Sequence, residues 1–322
     1  MKDNSYSSEF LSEACLNGER SLMFRWSIWT SWYYELPLED ALPLIVGAGF
    51  NLVELSAEHL NEIIARSFDE GEGLLDISSK NRALFFRRML GTKYLSEYAS
   101  LIKENGVIIV QAHGPFDTQF LASEEQRRDR ELRKIEIWLR ACCELEIPVL
   151  VMHPLQVGGM AKSLEVNVHF YKKVARIAED YGVAIALENL GASNFGSRVD
   201  DLLRILKRVG KDSLRICIDT GHANLCDAYR GHVDRCIRES NGYLIATHLN
   251  DNDGTSDQHL FLGRGTIRWR LVFDSFKRVR YHGPLNLEIP GERNHLLSTD
   301  DRGRKLRELR KELVLRWNKL VS

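Results

Sequence analysis

Six segments of this 322-residue chain end alike, with a short apolar run closing on a carboxylate or an imidazole. They are Gln111-Ala112-His113-Gly114, Val151-Met152-His153-Pro154, Ala186-Leu187-Glu188-Asn189, Cys217-Ile218-Asp219-Thr220-Gly221-His222, Thr247-His248-Leu249-Asn250-Asp251 and Leu287-Glu288-Ile289-Pro290. A single histidine on such a run is normally structural. Six ionisable groups in succession need another account, because carboxylates facing one cavity repel each other unless a cation compensates them. A metal ion supplies that charge. Carboxylate oxygen mixed with imidazole nitrogen, without thiolate, suits Mn²⁺ first, then Zn²⁺, Mg²⁺ or Co²⁺, rather than copper or an iron–sulfur cluster.

Residues at one end of consecutive runs can converge only if the runs lie side by side. Eight β-rich segments are expected as strands: Phe24–Thr30, Leu52–Ser56, Val107–Ala112, Val149–His153, Ala184–Glu188, Arg215–Asp219, Leu244–His248 and Leu285–Ile289. Between them lie segments of helical period such as Leu38–Ala48, Glu124–Glu144, Glu165–Tyr181, Asp200–Val209 and Trp269–Arg278. Gly49, Gly106, Pro148, Gly182 and Gly283 stand where helices should stop before the next strand. Strands alternating with helices eight times predict an α/β fold, a (β/α)8 TIM barrel, whose active site lies at the C-terminal ends of the strands. The expected organisation is an N-terminal arm over residues 1–22 and one barrel domain over 23–322. Residues 57–93 read as a long loop after strand two, with a glycine-rich stretch and Arg82, Arg87 and Arg88, either a lid or substrate-selecting element over the active face or a solvated surface excursion.

The 44 Lys and Arg balance 45 Asp and Glu to a net charge of -1, so no global basic field draws the chain to nucleic acid or an anionic membrane. Nucleic acid is therefore not the expected partner. Six cysteines without CxxC pairs argue against a disulfide framework and fit a reducing cytoplasm. No run approaches the roughly 20 apolar residues of a spanning helix.

The strings HGPF, VMHP, ALENLG, ICIDTGHAN, THLNDNDG followed by Asp257-Gln258-His259, and LNLEIPG resemble, from about Phe24 to Glu292, the xylose-isomerase-like superfamily. That group includes sugar isomerases, ketose 3-epimerases, inosose dehydratases and the endonuclease IV type of apurinic-site nuclease. The resemblance to the epimerase branch implies a metal held by Glu188, Asp219, His248 and Glu288. It also implies that Glu188 and Glu288 act as the catalytic, proton-exchanging pair through an enediolate. His222 resembles the residue that touches a substrate hydroxyl. The endonuclease branch uses a larger set to hold three zinc ions, and its positions match His113, His153, Glu188, Asp219, His222, His248, Asp257, His259 and Glu288. In sugar-processing relatives the same histidines and the Asp-x-His pair bind substrate or support the ligands, and Glu54 on strand two either resembles a strand-end carboxylate that contacts substrate or forms a buried salt bridge. Two positions depart from the ketose 3-epimerases: Asn194 and Gly254 stand where those enzymes carry a glutamate and an arginine.

The expected activity is that of a divalent-metal-dependent sugar or polyol isomerase or epimerase, with a small sugar-like substrate and a homo-oligomer or second subunit as possible assembly. A zinc phosphodiesterase on abasic DNA, and a lyase or dehydratase on an oxidised sugar or inosose, are the alternatives. Trp26, Trp29, Trp32, Tyr33 and Tyr34 crowd the first strand and its exit, where core and rim packing outweighs a sugar-stacking wall.

Overall fold

Alternation along the strands sets the architecture. On β1 (Trp26–Trp29), β2 (Leu52–Leu55), β3 (Ile108–His113), β4 (Val149–Met152), β5 (Ala184–Glu188), β6 (Leu214–Asp219), β7 (Leu244–His248) and β8 (Leu285–Leu287), one set of side chains faces surrounding helices and the other faces inward. This computed structural model describes residues 25–67, 92–116, 125–192, 194–293 and 296–321. All eight strands pair in parallel, in the order β7-β6-β5-β4-β3-β2-β1-β8. The bridge between Leu249 and Leu287 closes the ring, with Leu249 N donating to Asn286 O at 2.7 Å and Glu288 N to Leu249 O at 3.1 Å.

Inside the ring, Val149, Val151, Ala186, Cys217 and Ala246 form a separate small apolar cluster. Their modest size lets the layer above them hold polar groups. The main core lies between sheet and helices. There Ile28, Val53, Leu150, Ile185, Ile216 and Leu285 meet Leu42, Leu139, Val174, Leu202 and Phe273. Helices Met160–Tyr181 and Val199–Val209 each end on a glycine in the left-handed region, Gly182 at φ 68° and Gly210 at φ 66°.

The expected boundaries shift by small amounts. Strand four stops at Met152 and strand eight at Leu287, so His153 and Glu288 stand just past their strands. Thr30 opens a 3₁₀ turn, Thr30–Tyr33, rather than closing β1. The connection after strand two differs more. It begins as a helix, Ala57–Ser67, because Ala57, Leu60 and Ile63 repeat on one buried face. It ends in another, Thr92–Glu104. The rest of that expected lid, and the expected N-terminal arm, lie outside the described residues.

Candidate metal centre

Glu188, last residue of β5, is the hub. Its Oε2 lies 3.1 Å from His153 Nε2 and 3.5 Å from His113 Nε2, and its Oε1 lies 3.2 Å from both His222 Nδ1 and His248 Nδ1. These contacts follow from topology: β3, β4 and β5 are neighbours, and each strand presents its last inward side chain to the same end of the barrel. The Nδ1 of His113 is engaged with Gly114 O at 2.8 Å, which leaves Nε2 as the atom facing Glu188.

The second feature is the layer around His248. Its Nδ1 lies 3.1 Å from Glu288 Oε2, and its Nε2 lies 2.9 Å from Glu54 Oε1 on the far side of the ring. Asp219 caps the short helix Thr220–Leu225: its Oδ1 accepts from His222 N at 2.6 Å and its Oδ2 from Asn250 Nδ2 at 2.7 Å. His248 Nδ1 and Glu288 Oε2 are buried and have no hydrogen-bond partner of their own. One ligand atom each from Glu188, Asp219, His248 and Glu288 lie within 4.8 Å of one another. Two orphaned polar atoms among three buried carboxylates fit a divalent cation, which would satisfy both and offset the negative charge.

The third feature is the rim. Asp257 Oδ2 lies 3.1 Å from His259 Nε2 and 3.4 Å from His222 Nε2. The loop that carries Asp257 and His259 is held down at several points. Asp251 accepts at Oδ2 from Gly263 N at 2.9 Å and from Trp269 Nε1 at 2.8 Å, and at Oδ1 from Asn252 N at 2.9 Å and Ile267 N at 3.2 Å. A side chain at Gly291 would meet Gln258 O at 1.7 Å, so only glycine lets this loop approach β8. His259 itself sits at φ 46°, an uncommon conformation for a side chain-bearing residue, with Nδ1 3.1 Å from Glu288 O.

Two further groups of three could each hold an ion: His113, His153 and Glu188, and His222, Asp257 and His259. Burial and neighbouring charge compete throughout. Burial pushes the Glu188 carboxyl up, but His248, His153 and His113 pull harder and hold it well below the usual range. Glu288 behaves likewise: burial raises it, His248 and His259 bring it down to about 2. Asp219 goes the other way, pushed up to about 7 by burial and by Glu288 and Glu188 against the pull of His222. Burial lowers His259, but Glu288 and Asp257 raise it to about 9. His153 is lowered, because its burial outweighs Glu188.

The ten candidate site residues, from Glu54 to Glu288, lie in this one assembly, whereas Arg82, Arg87 and Arg88 lie outside the described residues. Glu54 is fully buried behind His248 rather than at the mouth. Asn189, Asn250 and Asn286 were not anticipated. Asn189 bonds the Asp219 backbone at both ends, at 2.8 and 3.0 Å, and Asn286 Nδ2 donates to Glu54 Oε2. The available signal was positional: Asn189 directly follows a site glutamate, and Asn286 precedes one by two, on the same inward face.

A family model described as a xylose isomerase-like TIM barrel matches residues 45–313. An uncharacterised protein of Methanocaldococcus jannaschii is 30% identical over 224 residues, which cover 65% of this chain and 75% of that protein. A probable endonuclease 4 of Methanoculleus marisnigri is 26% identical over 258 residues, 73% of this chain and 89% of the relative. Among solved structures, a D-tagatose 3-epimerase-like protein superposes with a TM-score of 0.69 at 23% identity, covering 92% of this chain and all of that one, a likeness of fold.

Proposed function

The chain belongs to the xylose isomerase-like TIM barrel family, and from that premise we propose that it is a divalent-metal-dependent enzyme that moves a proton beside the carbonyl of a small, sugar-like substrate. The observation that carries this reading is the pair of buried glutamates, Glu188 and Glu288, each within 3.2 Å of the same His248 nitrogen. Glu188, Asp219, His248 and Glu288 would hold the ion, which supplies polarisation of a carbonyl and stabilisation of developing negative charge.

The glutamates divide the remaining work. Both are ionised at neutral pH, since both titrate below the usual carboxylate range. With Oε2 given to the ion, the second carboxylate oxygen of Glu288 is the freer base, since Glu288 meets one imidazole at ion-pair distance where Glu188 meets four. Glu188, crowded by four imidazoles, is the better fixed partner for returning a proton, which it would take from His222, whose Nδ1 lies 3.2 Å from Oε1 and whose imidazole is kept protonated, against its burial, by Asp219, Asp257 and Glu188. Return to the other face gives epimerisation, return to the neighbouring carbon gives isomerisation, and loss of an adjacent hydroxyl gives dehydration.

A second reading, metal-dependent phosphodiester hydrolysis, is favoured by a specific observation: the nine carboxylates and imidazoles fall into three ligand groups, two of which share Glu188. Against it stands the net charge of -1, since grasping a duplex draws on concentrated Lys and Arg. The test is incubation of Mn²⁺- or Zn²⁺-loaded protein in D₂O with ketoses, inososes and oxidised glycosides, and separately with an abasic duplex. Deuterium should enter at the carbon beside the carbonyl of one of them. Strand incision without any exchange would replace this reading with the second.

A further inference from the structure

We propose that Glu54 is a positioning residue, which reaches across the barrel from β2 to fix the tautomer and ring orientation of His248 and so presents His248 Nδ1 to the metal. This role rests on the metal centre proposed above, and not on the identity of the substrate. Glu54 is fully buried in the middle layer of the ring, where a lone carboxylate would cost several kcal/mol. Both its oxygens are used. Oε1 lies 2.9 Å from His248 Nε2, and Oε2 accepts from Asn286 Nδ2. Asn286 Oδ1 in turn accepts from Ser27 Oγ at 3.0 Å. A chain of side chains thus runs from β1 through β8 and β2 to β7, all of them fully buried.

The direction of each bond determines the imidazole. An ionised carboxylate that already accepts from Asn286 can only accept again, so His248 Nε2 must carry the hydrogen. In the neutral imidazole that a metal ion takes, Nδ1 then carries the lone pair, and it is the atom that lies 3.2 and 3.1 Å from the Glu188 and Glu288 carboxylates. A carboxylate behind a ligating imidazole also raises its basicity toward the ion. Glu54 is 0% exposed, so it has no route to act on substrate directly.

The test measures Mn²⁺ affinity calorimetrically for the wild-type protein, Glu54→Met, Glu54→Gln, His248→Ala and the double variant Glu54→Met/His248→Ala. Glu54→Met fills the space without an acceptor and should weaken binding roughly 10–100-fold. In the His248→Ala background the same change should cost nothing more. Glu54→Gln, which retains one accepting oxygen once the Asn286 amide turns over, should recover most of the affinity. An equal loss in both backgrounds, or none in either, overturns the role. Independently of any variant, ¹⁵N spectra of the Zn²⁺-loaded wild type should place the His248 proton on Nε2. A proton on Nδ1 overturns it as well. Wild-type protein that binds no metal would sink the centre itself, an outcome distinct from unaltered binding in Glu54→Met.

Discussion

Glu188 and Glu288 are the same residue type in the same layer, yet their surroundings give them different freedom. Glu188 touches four imidazoles, whereas Glu288 meets only His248 at ion-pair distance. Glu288→Gln keeps the shape and removes the ability to accept a proton. Turnover should fall about 10²–10⁴-fold, with the circular dichroism spectrum unchanged. Unaltered exchange of solvent deuterium in a metal-replete variant would remove Glu288 from the chemistry. Both glutamates were legible in the sequence because an acidic residue ending a strongly apolar run is costly, and the cost marks a use. Their supporting asparagines were not. An amide beside a strand end has the composition of any loop, and only the folded register brings Asn250 to Asp219 and Asn286 to Glu54.

At the scale of elements, strand ends were readable and loops were not. The strands carry a two-residue alternation that the sequence displays directly. The segment 249–268, by contrast, looks like polar surface but begins as buried structure: Asn250, Asp251 and Asn252 are all fully buried. Asp251 gathers four N–H groups from the chain that follows it, and thereby sets where Asp257 and His259 stand. Sequence alone could not distinguish this anchor from Asp253, which is exposed two residues later. Asp251→Asn places an NH₂ group among donors and leaves buried N–H groups without an acceptor. Each such group costs about 1–3 kcal/mol, so equilibrium unfolding in urea should show a loss of about 2 kcal/mol or more. A loss under about 0.5 kcal/mol, the size of an ordinary surface change, would show that the loop is held otherwise.

The whole barrel bears the consequence of gathering these groups at one end. In the absence of metal the charges are balanced by protons. Asp219 holds one up to pH about 7 and His259 up to pH about 9, while Glu188 and Glu288 stay ionised. A His259 pKa of about 9 against an ordinary 6.5 contributes stability that is complete below about pH 6.5 and is lost as pH rises through 9. Metal must displace the proton on its ligand Asp219 and repels the one on nearby His259, so its affinity rises over the same interval. Both trends act in one direction. The melting temperature of metal-loaded protein should exceed that of chelator-treated protein by an amount that grows from pH 6 to pH 9. A free-ion concentration 100-fold above the dissociation constant stabilises by roughly 2.7 kcal/mol, which is about 4 °C in a domain of this size. Scanning calorimetry with and without chelator checks this. A gap that is constant or shrinks with pH would mean that protons on Asp219 and His259 do not compete with the ion, and that metal, if bound, sits away from the ring of strand ends.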